Sequence, residues 1–89
     1  MKKTIRKDEY PQNGVLLIHG KDVTIKFDKG GFRYQIMSAN GSKTAGYIPA
    51  MNGPGTGITI SASSFAGIDP PLLYFTEFEG DTLDVEVIQ

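Results

Sequence analysis

The chain has no cysteine, no tryptophan and a single histidine, His19. The missing thiols exclude disulfide staples and thiolate metal sites, and one imidazole excludes a histidine-rich centre. Long apolar runs are missing as well. The longest near the N-terminus is Val15 to Ile18, short of the roughly 7–15 residues of a secretory leader and the roughly 20 of a membrane span. The expectation is a cytoplasmic protein with no membrane partner. Basic residues are absent after Lys43, and that absence divides the chain in two.

Residues 1–43 carry nine Lys and Arg against four acids, a balance of +5, whereas residues 44–89 carry six acids and no base, a balance of −6. The net charge of −1 hides this division. Two readings follow. Strands from the two halves lie side by side and neutralise each other, or the molecule is bipolar and its patches steer association with itself or a charged protein.

With 89 residues the chain is expected to be one domain, 1–89. A domain of that size buries only about 60–65% of the surface it exposes unfolded. Without staples, burying a face shared between copies is the remaining source of stability, so self-association is expected.

Turn residues punctuate the chain between short runs of alternating apolar character. Gly20-Lys21, Lys29-Gly30 and Asn40-Gly41 each suit a two-residue hairpin turn, the last being the strongest such signal. Read as hairpins, they set Leu16 opposite Ile25, Phe27 opposite Phe32, and Ile36 opposite Ala45. Leu16, Ile18, Val23, Ile25, Phe27, Phe32, Tyr34, Ile36, Ala45 and Tyr47 then share one face of a four-stranded meander over 14–48. That register puts Lys26 across from Arg33, an unfavourable like-charge pair.

Three further strands are predicted over 57–88. Ile58, Ile60 and Ala62 point inward along the first of them. A short helical turn near 63–68, capped by Ser63 or Ser64, precedes Asp69-Pro70-Pro71. Gly80-Asp81 reads as the turn of a last hairpin that pairs Phe78 with Leu83 and Tyr74 with Val87. The strand 72–78 is apolar on both faces, leaving Leu73 and Phe75 in need of cover from the N-terminal arm, the Phe65 turn or another subunit. Residues 1–13 lack a strong period and form an N-terminal arm, either ordered or flexible, in which Thr4 to Arg6 could make a short edge strand. The fold expected is all-β: a small antiparallel β-sandwich, or a closed or partly open barrel, of about seven strands.

The functional signals are sparse. Asn52, Gly53, Pro54, Gly55 and Thr56 have a phosphate-loop composition, but the Lys and the following helix of a nucleotide-binding P-loop are missing. The stretch is a strand connector, or a loop that meets a partner or ligand. His19 and Asp22 flank a turn and serines stand at 61, 63 and 64, yet no nucleophile elbow surrounds them. The acids Glu77, Glu79, Asp81, Asp84 and Glu86 alternate as a solvated strand face does, without a calcium-loop pattern. No catalytic set, cofactor motif or metal-ligand set emerges.

The resulting expectation is a non-enzymatic protein-interaction module: a homo-oligomeric accessory protein of a phage or mobile element, structural or inhibitory towards a host factor. Its contact residues would be Lys26, Arg33, Lys43, Leu73, Phe75 and the glycine-rich loop. One alternative is an OB-like barrel that binds single-stranded nucleic acid on basic residues and the aromatics Tyr10, Phe27, Phe32 and Tyr34. Another is a small-molecule or nucleotide-binding protein using the loop at 52–57.

Overall fold

A computed structural model describes residues 1–27, 31–38, 41, 43–48 and 56–89, with backbone only for 45, 47, 48 and 56. Eight strands are present among the described residues: β1 (Lys2–Arg6), β2 (Val15–Leu16), β3 (Val23–Phe27), β4 (Phe32–Met37), β5 (Lys43–Ile48), β6 (Thr56–Ile60), β7 (Leu72–Phe78) and β8 (Thr82–Ile88). Two antiparallel four-stranded sheets form, sheet I in the order β1-β8-β3-β6 and sheet II in the order β2-β7-β4-β5. The molecule is a β-sandwich, and the helical content among the described residues is two 3-10 turns. None of the described helices is long and apolar enough to cross a membrane.

The strands fall largely where their composition places them, but their neighbours differ from a meander. Of the seven connections between successive strands, six cross from one sheet to the other, and β4 to β5 alone stays within a sheet. The expected pairings of β2 with β3, β3 with β4 and β7 with β8 are therefore replaced. β3 lies between β8 and β6, and β7 lies between β2 and β4. The physical reason is burial. A single four-stranded sheet with one apolar face leaves that face wet, whereas crossing places each apolar row against another. Phe27 at the end of β3 and Phe32 at the start of β4 meet edge to face at 5.0 Å across the core, and Phe32 meets Phe75 at 5.2 Å.

The turns themselves carry the expected glycines. Gly20 and Gly80 have φ of +87° and +80°, a region open to glycine. The first turn spans Ile18 to Lys21, closed by the Lys21 N–H to the Ile18 carbonyl at 3.4 Å, one residue earlier than a Gly20-Lys21 hairpin would have it. The expected turn at Lys29-Gly30 falls outside the described residues, as does Asn40 of the Asn40-Gly41 turn. In the one retained hairpin, Ile36 pairs with Thr44 and Tyr34 with Gly46, a slip of one residue from the expected register. β4 stops at Met37 and β5 begins at Lys43, so the connection is longer than two residues and its odd length reverses the phase of β5.

Two strands have a phase that alternation alone does not reveal. In the apolar run 15–18, Val15 and Leu17 are buried while Leu16 and Ile18 face out, the reverse of the expected assignment. On β7, a register shift against Arg33 and Tyr34 leaves Thr76 without a register partner on β4. This bulge lets Leu73, Phe75 and Phe78 all enter the core although their spacing is uneven. Elsewhere the expected inward rows hold, with Val23, Ile25 and Phe27 on β3 and Leu83, Val85 and Val87 on β8 buried.

The N-terminal segment is ordered rather than a loose arm. β1 pairs with β8 along its whole length, and Ile5 is completely buried. Lys7 N–H then bonds the Asp81 carbonyl at 3.1 Å, and Asn13 Nδ2 donates to the Arg6 carbonyl at 2.9 Å. The segment crosses to sheet II and lays Tyr10 against the outward ring of Tyr74 at 5.4 Å. Of the three covers considered for the second face of β7, the N-terminal arm is the one found. At the other end, Ser61 caps the 3-10 turn Ala62–Phe65 by accepting from the Ser63 N–H. That turn drives Phe65 into the core.

Tyr34 crosses its neighbour Gly46, and a Cβ there would stand 2.5 Å from the Tyr34 hydroxyl oxygen. Gly46→Ala is therefore expected to cost about 1–3 kcal/mol through overpacking. Thermal unfolding would show it as a drop of about 4–8 °C per kcal/mol in a domain of this size. Burial also pushes the Tyr34 hydroxyl above its ordinary value near 10. The unfolded chain gives up that proton first, so the contribution is complete below about pH 10 and is lost as pH rises through the folded value. Denaturant titrations on the alkaline side should show stability falling with pH, with a shallower fall for Tyr34→Phe.

Candidate functional site

Pairing across sheet I brings the two charge halves together. Glu86 of β8 has Lys2 of β1 on one side and Lys26 of β3 on the other. Thr4 faces Asp84 on the next outward row and donates its hydroxyl to Oδ1 at 2.6 Å. On sheet II, Arg33 Nε lies 2.9 Å from Glu77 across the β4–β7 pair. In sheet I the acidic β8 thus lies between the bases of β1 and β3, and in sheet II Glu77 of β7 pairs with Arg33 of the neighbouring β4. Lys26 is not opposite Arg33 as expected, because the two lie in different sheets.

A groove of about 460 Å³ opens along Lys2, Lys3, Thr4, Lys26, Asp84 and Glu86. Its outward side chains come from three adjacent strands and mix ammonium and carboxylate groups. That surface can offer ion pairs and hydrogen bonds.

The residues expected to meet a partner are dispersed. Lys26 is on the outward face of sheet I, Arg33 on that of sheet II, and Lys43 at the start of the edge strand β5. They form no single basic strip. Leu73 and Phe75 lie in the core with 0% and 3% of their surface exposed, so neither can touch a partner; the bulge at Thr76 set their direction. Asn52, Gly53, Pro54 and Gly55 fall outside the described residues, and Thr56 is the first residue of β6. The expected base-stacking aromatics are also internal in part. Phe27 and Phe32 are core residues, and Tyr34 packs against that core.

The polar cluster around the first turn is occupied in holding the fold. His19 Nε2 is 2.8 Å from the Ala66 carbonyl, and Asp22 Oδ1 accepts from the Ala62 N–H at 2.7 Å. Both side chains fasten the turn after β2 to the 3-10 turn rather than bonding each other. Gln89 closes the same corner. Its amide accepts from the Ile18 N–H and donates to the Ile18 and Lys21 carbonyls, at 2.7, 2.9 and 3.1 Å.

What sequence reasoning missed is an apolar surface on sheet II. Leu16 is 66% exposed, Ile18 53% and Tyr10 52%. Register sets Leu16 beside Leu72 and Leu72 beside Met37 on one outward row, with Tyr74 and Gln35 on the next. Tyr10 lies over Tyr74, so Leu16, Leu72, Met37, Tyr74 and Tyr10 form one surface spanning β2, β7 and β4. The signal was the apolar run 15–18, which is too continuous to be half buried on one face alone.

Comparison with protein-family models, with curated proteins and with solved structures finds no match.

If interleaved charge stabilises sheet I, Lys26→Glu should destabilise the fold by up to about 1 kcal/mol. The loss should shrink as salt is raised from about 0.01 M to about 1 M, where the screening length falls from about 30 Å to about 3 Å. Urea titrations at the two salt concentrations measure it.

Proposed function

We propose that the chain is a non-enzymatic protein-interaction module that associates with copies of itself through the outward face of sheet II. One observation carries this reading: Leu16, 66% exposed, adjoins Leu72 and through it Met37 on one outward row of sheet II, and Tyr10, 52% exposed, lies over Tyr74 on the next. Large contiguous apolar patches are uncommon on monomeric proteins and mark contact sites. Burying a leucine from water is worth about 1.5–3 kcal/mol, and a two-fold contact buries each such residue twice.

The polar groups near the patch fit a rim. Arg33 and Glu77 pair on the outward row beyond Tyr74, and Lys43 stands across from Met37. An apolar centre with charged residues at its margin is the usual anatomy of a protein–protein contact. The groups that could have supported a reaction are committed elsewhere, since His19 and Asp22 bond backbone atoms of the 3-10 segment.

Leu16→Glu is the direct test. The residue is exposed and lies on a two-residue edge strand, so the variant should fold. Light scattering across micromolar and submicromolar concentrations is expected to show wild-type mass falling on dilution, with a lower mass for the variant at every concentration. A wild-type protein that stays monomeric throughout would overturn the reading, and so would an unchanged mass in the variant.

A further inference from the structure

The sandwich has four edge strands, and three of them are poorly suited to accept another strand. β1 carries Lys2, Lys3 and Arg6 in five residues, and charge on an edge discourages pairing. β2 is two residues long. β5 opens with Lys43, a charge of the kind that β6 lacks.

The fourth edge, β6, reads Thr-Gly-Ile-Thr-Ile. It has no charge and no proline, and it pairs with β3 over five residues without a register shift. Its other side has no strand partner among the described residues. A regular uncharged edge of this kind is a template for strand addition.

We propose that β6 pairs antiparallel with β6 of a second copy, with Ile58 on the two-fold axis. Symmetry and alternation select this register. A two-fold axis between residues would oppose an inward position on one copy to an outward position on the other, breaking the common core face. An axis through a residue keeps both inward rows on one side, and only Ile58, the middle residue, pairs the whole strand. Ile58 then meets its own copy, Gly57 meets Thr59, and Thr56 meets Ile60. Ile58 is partly buried at the margin of the core, so the copy completes its cover. No like charges are brought opposite each other along the seam. Sheet I of both copies becomes one sheet of eight strands, β1-β8-β3-β6 followed by the same four in reverse.

This contact uses a surface separate from the outward face of sheet II, so it stands or falls independently of that reading. The test is run in the Leu16→Glu background, which removes the sheet II contact. There the protein is expected to remain a dimer at micromolar concentration. Thr59→Lys should raise its dissociation constant by at least about tenfold, equivalent to about 1.4 kcal/mol. The new ammonium would face Gly57 of the copy, across which the Lys26 side chain lies, a Cβ on that glycine being 3.3 Å from Lys26 Cγ. Thr59 is exposed, and circular dichroism checks that the variant folds.

Because the chain has no cysteine, Ile58→Cys supplies a unique thiol, and mild oxidation should cross-link it to a covalent dimer. A monomeric Leu16→Glu protein would overturn the proposal. So would a dimer that neither weakens with Thr59→Lys nor cross-links through position 58.

Discussion

Ile5, Ile25, Ile36 and Leu73 come from four different strands, two in each sheet, and each is completely sealed from water. They mark the apolar seam between the sheets on which everything else depends. With no disulfide available, this packing has to offset the conformational entropy of ordering the chain. The seam needs two apolar faces, and the topology supplies them by sending almost every connection across the gap. Phe27, Phe32 and Phe75 bind the sheets edge to face near one end. Phe65 and Ile68 close another part of the seam through the 3-10 segment.

The surface features follow from how that seam is closed. Placing β8 between β1 and β3 brings acids of the second half among bases of the first. Placing β7 between β2 and β4 does the same for Glu77 and Arg33. The arm that crosses from sheet I to sheet II covers Tyr74, and it leaves Leu16 and Ile18 in water beside that cover. The proposed contact face is therefore a by-product of the arm's route. The edge strand β6 belongs to the other sheet, so the two proposed contacts use different surfaces.

Much of the fold was legible locally, and the errors have identifiable sources. Val23, Ile25 and Phe27 were placed inward correctly because polar residues separate them cleanly. Leu16 was placed wrongly because its phase had been inferred from an assumed hairpin with β3, and its own run of four apolar residues has no alternation to contradict the error. Strict alternation counted back from Phe78 turns Leu73 and Phe75 outward. The bulge at Thr76 reverses their phase, and such a bulge depends on the neighbouring strand rather than on β7 itself. Of the candidate site residues, Lys26, Arg33 and Lys43 are on the surface but apart from one another, since placing them together required β3 and β4 to be neighbours.

By itself the sequence determined the all-β class, the approximate strand positions, the turn glycines at 20 and 80, and the inward rows of the cleanly alternating strands. These are local properties, set by the two-residue period of a strand and by the backbone freedom of glycine. Only the tertiary structure decided which strands are neighbours, whether a turn makes a hairpin or crosses between sheets, and which face of 15–18 and 72–78 is buried. A tight turn is compatible with either connection. The choice rests on the burial of faces from residues far apart in the chain, which no local pattern records.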